Sequence, residues 1–313
     1  MEKEVKGRFA PSPTGRMHLG NLFAALLSWL SVRSQGGKWV LRMEDLDPQR
    51  SKREYMSQIE DDLHWLGLDW DEGGLEGRGD NGPYVQSRRH ALYEEYLERL
   101  RATGLTYPCR CTRADILATQ APHRTDGRVV YAGTCRPATM PCHAPEPEWS
   151  HSTRLYIPQG KIAFTDRLYG QQAVDPSEDC GDIVLRRADG AWAYQLAVVV
   201  DDALMGITEV VRGSDLLESS ARQIYLYGLL GLEAPEFAHV PLLCDSEGRR
   251  LSKRDRSLAM DELRARHTPE EITGRLAALA GLRKTAAPVS AAELVADFDW
   301  KLIPAAETLC AYV

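Results

Sequence analysis

The sequence predicts an α/β protein: a parallel sheet with helices on both faces, an inserted cysteine-bearing subdomain and a small helical C-terminal segment. Three observations predict it. Residues 5–44 read strand, helix, strand, a βαβ unit whose strands must be parallel and whose crossover must be right-handed. Residues 193–202 are apolar almost throughout, as an element covered on both sides should be. Between them, the segment from about 105 to 190 changes character and gathers closely spaced cysteines.

The first strand, Val5 to Phe9, ends in a loop stiffened by Pro11 and Pro13, with Gly15 allowing close backbone approach. A helix over Leu22 to Val32 follows, with Leu22, Leu26, Trp29 and Leu30 on one apolar face. Its N-terminus, with unpaired N–H groups and the positive end of the dipole, suits phosphate, and His18 stands just before it. After the Gly36-Gly37 turn, residues 38–44 form a second strand. Glu44 and Asp45 fall at its carboxyl end, beside Ser12 and His18, where open Rossmann-like sheets bind ligands. Ser51 and Glu54 have capping-box spacing ahead of a stripe of Tyr55, Ile59, Leu63 and Leu66. A further helix runs from Arg88 to Thr103 with Leu92, Tyr96 and Leu100 inward. Residues 182–186 and 193–202 restart the sheet, although periodicity leaves the second run open between strand and buried helix. Residues 208–217 form a strand that breaks at Gly213, and Ser219 opens a helix ending near Leu230. Tyr194 and Arg212 thereby fall in the second half of the sheet, across the switch point from the first loop. Beyond residue 256, Ile272, Leu276 and Leu279 mark a helix and Pro288 a break.

At 313 residues the chain is long enough for two or three domains. Hydrophobic content of 43% with 27% charged residues is that of an ordinary globular protein. No run of about 18 apolar residues is present, so no membrane association is expected. The polar N-terminus is unlike a secretory signal, so a cytoplasmic protein is expected. A net charge of −7 argues against a nucleic-acid-coated surface while leaving room for a local basic one. Seven cysteines is an odd number, and Cys109 and Cys111 with Cys135 suit a metal better than a disulfide framework. Thiolates favour tetrahedral Zn²⁺, which needs a fourth ligand. Tyr131 is an unusual donor; Cys142, His143 and His123 are the conventional ones.

The composite Arg8-Phe9-Ala10-Pro11-Ser12-Pro13-Thr14-Gly15, with His18-Leu19-Gly20-Asn21, resembles the first signature of the glutamyl branch of class I aminoacyl-tRNA synthetases. The segment Arg250-Leu251-Ser252-Lys253-Arg254 resembles the second, "KMSKS" signature in its Lys-Leu-Ser-Lys-Arg form, with Arg250 in place of the first Lys. The resemblance spans residues 5 to 256. It implies His18 and Lys253 as catalytic residues, and an ATP site of His18, Gly20, Asn21 and Lys253 with Mg²⁺. It implies a glutamate pocket of Arg8, Phe9, Ala10, Pro11, Ser12, Glu44, Tyr194 and Arg212. A Cys-x-Cys…Tyr-x-x-x-Cys motif in this position implies one structural Zn²⁺ held by Cys109, Cys111, Tyr131 and Cys135.

The same resemblance divides the chain into a first catalytic half (1–104), a zinc-bearing acceptor insertion (105–190), a second catalytic half with the signature loop (191–256) and a helical stem-contact remnant (257–313). About sixty residues follow Arg256, too few for an anticodon-binding region. The chain therefore resembles a truncated branch of the family that transfers glutamate to the queuosine base of tRNA(Asp). ATP, L-glutamate and queuosine-bearing tRNA(Asp) are the expected partners of a monomer. The alternatives are a minimal glutamyl-tRNA synthetase charging the tRNA 3′ end, a non-catalytic zinc-bearing RNA-binding module and an ordinary nucleotide-binding oxidoreductase.

Overall fold

The computed structural model describes residues 4–118, 130–143, 147–245 and 259–310. It opens on β1 (Lys6–Phe9), α1 (Leu19–Ser34) and β2 (Lys38–Leu41), with the strands parallel in the register Arg8↔Val40. There follow α2 (Arg53–Trp65), the two-residue strand β3 (Glu72–Gly73) and α3 (His90–Ala102). Then come β4 (Thr106–Cys109), α4 (Arg113–Ala118), β5 (Ser152–Leu155), β6 (Ile162–Asp166), β7 (Gly170–Val174), α5 (Pro176–Asp179) and β8 (Ile183–Arg186). The chain continues through α6 (Tyr194–Leu204), β9 (Glu209–Gly213), α7 (Ser219–Leu230), β10 (Glu236–Val240) and β11 (Leu242–Cys244). After residue 258 it forms α8 (Met260–Arg266), α9 (Pro269–Leu279), α10 (Ala291–Leu294) and β12 (Thr308–Cys310).

The main sheet has the order β3-β2-β1-β9-β10-β6-β7, parallel except for the antiparallel pair β6–β7. Chain order reverses between β1 and β9, and the crevice above that point is where such sheets hold ligands. Side-chain alternation assigns the two faces. Phe9, Trp39, Leu41, Val211 and Ala238 pack in one core with α1, while Val40, Val210 and Phe237 pack in another. Arg8, Arg42, Arg212 and His239 alternate with the first set. They therefore share the second face, where α6 and α7 supply their partners. No helix of the described residues is long and apolar enough to cross a membrane.

Several expectations need correction. The apolar run 193–202 is helical: Arg42 meets both Asp201 (3.7 Å) and Asp202 (2.6 Å), whereas adjacent residues of a strand would face opposite ways. Strand β8 does not restart the main sheet but pairs with β5 in the separate sheet β4-β5-β8. The β6–β7 hairpin, from the same stretch of sequence, extends the main sheet instead. Ser51 caps nothing, because an Asp47 side-chain turn precedes it and α2 begins at Arg53 with Lys52 at the N-cap. Ser219 is the first residue of α7 rather than its cap, the chain being already helical at Glu218. Helix α9 starts on a Thr268/Glu271 capping box with Pro269 at its first position. The pairing of β12 with β11 was unforeseen, and it sets Cys244 against Cys310 with sulfurs 3.3 Å apart.

Candidate active site

A cleft of about 460 Å³ opens above the carboxyl ends of β1 and β9. Arg8, Phe9, Ala10, Pro11, Ser12, His18, Gly20, Asn21, Glu44, Tyr194 and Arg212 all line it. These are all of the sequence-derived glutamate and ATP residues except Lys253, which lies outside the described residues along with the rest of its signature. Leu242, Leu243 and Pro241 close another wall.

The first loop is held to its surroundings through its own backbone. Pro11 O accepts from Glu44 N–H (3.0 Å), and Pro13 O accepts from Lys52 N–H (3.0 Å). Helix α1 begins three residues earlier than the apolar stripe indicated, at Leu19. His18 is its N-cap: Nδ1 accepts from Gly20 N–H (3.1 Å), while Asn21 Oδ1 accepts from His18 N–H (3.1 Å). One helix-terminal N–H that sequence reasoning left open is thus occupied by the imidazole. A Cβ at position 20 would sit 3.1 Å from that ring, so glycine leaves room for the histidine to fold over the helix end. Ala259, the first described residue beyond the second signature, bridges His18, and Met260 N–H donates to Met17 O (3.1 Å). Asp62 of α2 ties the same regions together, accepting from Arg16 (3.0 Å) and Arg264 (3.0 Å).

Beneath the cleft lies a layer of buried charge. Arg42, fully buried, donates to Asp202 (2.6 Å) and Glu44 (3.0 Å). Asp201 accepts from Arg89 (2.6 Å), Gln86 (2.8 Å) and Tyr93 (2.9 Å). Burial works against ionising Asp202, yet Arg42 and Arg8 hold its carboxyl below the usual range. Burial pushes Glu44 up, with Arg42 and Arg8 opposing. Arg8 Nε lies 3.5 Å from Asp202, so this guanidinium is partly neutralised. Arg42, Asp201 and Asp202 escaped sequence reasoning. Their signal was a charged residue ending an apolar strand and an acidic pair inside an apolar run.

Arg212 is different. It is 6% exposed, and it donates to His239 Nε2 (3.0 Å), Gln223 Oε1 (2.9 Å), Ser220 Oγ (2.9 Å), Leu216 O (3.3 Å) and Tyr194 Oη (3.4 Å). All of these are neutral acceptors, and none of the described carboxylates pairs with it. Burial pushes the Arg212 guanidinium down, and the like charge of Arg8 adds to this against Tyr194 and Asp202. A buried cation with no carboxylate in contact among the described residues is costly, and here it faces a cleft.

His239 is wholly buried, with its ring Nδ1 on Asp166 Oδ2 at 2.6 Å. Burial pushes its pKa from 6.5 to about 4, against the Asp166 hydrogen bond. The unfolded chain therefore takes up a proton between those values that the folded one refuses. The resulting stability is complete above pH 6.5 and is lost as pH falls through about 4. A shift of this size is worth on the order of 3 kcal/mol. Urea unfolding at pH 7 and 4.5 should show the parent losing more stability than His239→Gln, and equal losses would contradict this.

Away from the cleft, Cys109, Cys111 and Cys135 present sulfurs within 4.8 Å of one another, the only such metal-ligand group among the described residues. Tyr131 Oη lies 3.4 Å from Cys109 Sγ and accepts from Cys135 N–H (2.8 Å). Cys142 and His143 are outside that group, Cys142 N–H donating to Gly104 O (2.7 Å); His123 lies outside the described residues. The three sulfurs fit a soft-metal site in donor type, and the Tyr131 phenol oxygen brings the donors to the four that a tetrahedral site takes.

The profile of the family described as "tRNA synthetases class I (E and Q), catalytic domain" matches residues 4–310. The chain is 51% identical over 282 residues to a glutamyl-Q tRNA(Asp) synthetase of Nitratidesulfovibrio vulgaris, covering 89% of this chain and 87% of that protein. It is 48% identical over 308 residues to a protein of the same name from Symbiobacterium thermophilum, covering 95% and 93%. Among solved structures, a glutamate tRNA ligase from Elizabethkingia meningosepticum, crystallised with its amino acid, superposes with a TM-score of 0.84 at 30% identity over 99% of this chain and 67% of that one.

Proposed function

This chain belongs to the class I tRNA synthetases for glutamate and glutamine and is a ligase of that type, and from that premise we propose that it activates L-glutamate with ATP as glutamyl-adenylate and passes the glutamyl group to the queuosine base of tRNA(Asp). The observation that carries the amino-acid half is Arg212, a buried guanidinium whose partners among the described residues are all neutral, facing a cleft. A ligand carboxylate is the counter-ion it lacks. Arg8 offers a second guanidinium in the same cleft, and Glu44 offers a carboxylate for the ammonium group.

In the activation step a glutamate carboxylate oxygen attacks the α-phosphorus of ATP, a P–O bond forms, and pyrophosphate departs with the pair of the broken bond. Such transfer needs positioning and charge neutralisation more than covalent help. His18, at the helix end beside the first loop, and Lys253, from the second signature, are the residues assigned to the phosphates. Mg²⁺ bound with ATP supplies further neutralisation. The test is exchange of labelled pyrophosphate into ATP, which should depend on glutamate and not occur with glutamine. Absence of exchange, with and without tRNA, would overturn the activation step.

The acceptor half is supported by the names of relatives such as those from N. vulgaris and S. thermophilum. Cys109, Cys111, Tyr131 and Cys135 would hold one structural Zn²⁺, which supplies a cross-link between the start and end of this part of the insertion. The expected result is about one zinc per purified chain, with less than about a tenth of that in Cys135→Ser and a lower melting temperature. Metal analysis that finds zinc undiminished in that variant would contradict the ligand set.

A further inference from the structure

The neutral surroundings of Arg212 are themselves constructed. His239 is its register partner on the adjacent strand β10, so the two side chains leave the same face of the sheet side by side. Arg212 Nε–H needs an acceptor there, and an imidazole can serve only with a lone pair on Nε2. Asp166 secures that state. Its Oδ2 takes both the backbone N–H of His239 (3.1 Å) and the ring Nδ1 (2.6 Å), which places the ring proton on Nδ1. Asp166 is itself fixed, since Oδ1 accepts from Leu168 N–H (3.0 Å) and Tyr169 N–H (2.9 Å) in the turn after β6. A carboxylate thus stands behind Arg212 with one neutral ring between them.

The alternative arrangement, a carboxylate directly on Arg212, would orient the guanidinium equally well. It would also occupy the donors and cancel the charge that a ligand carboxylate needs. Gln223 repeats the pattern on another edge: its Oε1 accepts from Arg212 while its Nε2 donates to Gln195 Oε1 (3.0 Å), fixing the amide with oxygen towards the arginine. A glutamate at position 223 would have nearly the same shape and the opposite electrostatic effect.

We infer that His239 is a positioning residue, a neutral spacer locked by Asp166 that aims Arg212 without neutralising it, and so sets the preference of the cleft for a carboxylate over a carboxamide. The inference rests on the reading of Arg212 as the carboxylate site. His239 touches no reacting atom; it acts through Arg212.

The test is calorimetric titration of the full chain with glutamate and with glutamine, with melting temperature and the KM for ATP as controls. His239→Gln keeps an acceptor for Arg212 and should bind glutamate within a few-fold of the parent. His239→Leu removes it and should weaken glutamate about tenfold or more while the KM for ATP holds. Gln223→Glu should lower the glutamate-over-glutamine affinity ratio by about tenfold or more, with the melting temperature held or raised. A folded His239→Leu with parental glutamate affinity overturns the inference, as does His239→Gln losing as much as His239→Leu. If His239→Leu fails to fold, Gln223→Glu decides: a ratio equal to the parent's overturns the inference. A parent that binds no glutamate overturns the reading of Arg212 itself, a distinct failure.

Discussion

Arg212→Ala should weaken glutamate binding by about 10²- to 10³-fold, while the melting temperature changes little. Deleting one member of a desolvated charge pair costs about 3–5 kcal/mol, which is two to three decades of affinity. The pair here forms when ligand arrives, because among the described residues the guanidinium has neutral acceptors alone. Removing it therefore strands the ligand's carboxylate; in the free protein the acceptors on His239, Gln223 and Ser220 lose their donor, which offsets the relief of shedding a buried cation. Arg8→Ala should differ, since Arg8 pairs with Asp202 at 3.5 Å and its loss would lower stability as well as binding. Calorimetry with parallel thermal melts separates the two patterns. Parental glutamate affinity in a folded Arg212→Ala protein would remove the glutamate pocket from the account.

Lys253→Ala should lower the rate of glutamate-dependent ATP–pyrophosphate exchange by about 10²- to 10³-fold with the fold intact. A donor aimed at charge that develops in the transition state contributes on the order of 3–4 kcal/mol, and its loss appears in kcat. Lys253 lies outside the described residues, so its role rests on the signature it belongs to and on the described chain at its flank. Ala259 bridges His18, and Arg264 joins Arg16 on Asp62. The described chain thus resumes, just after the second signature, at the N-terminus of α1, beside the cleft. A folded Lys253→Ala protein exchanging at the parental rate would dissociate the second signature from the chemistry.

The residues from Arg8 to Asn21 were legible because a strand–loop–helix turn is local: strand, stiff loop and helix start follow one another, and residue order alone places them on one edge. Glu44, Tyr194 and Arg212 were legible through resemblance, and all three line the same cleft as the loop. The supports of Arg212 were not. Asp166 and His239 are 73 residues apart and meet only because β6 joins β10, a pairing no local pattern predicts. Strand β8 was misplaced for the same reason, since four residues of strand do not say which sheet receives them. The run 193–202 was ambiguous because an apolar stretch buried on every side loses the periodicity that separates helix from strand. His18 was placed correctly in the chain, but its role as the cap of α1 depends on a ring orientation that spacing cannot supply.

The central claim is that glutamate, once activated, leaves for a base inside the anticodon loop of tRNA(Asp). Incubation with ATP, labelled glutamate and bulk tRNA, followed by nuclease digestion and mapping of the labelled nucleotide, tests it most directly. The account predicts label on the queuosine nucleotide of tRNA(Asp) and on no 3′-terminal adenosine. Label at the 3′ end of tRNA, or none on RNA at all, would contradict it.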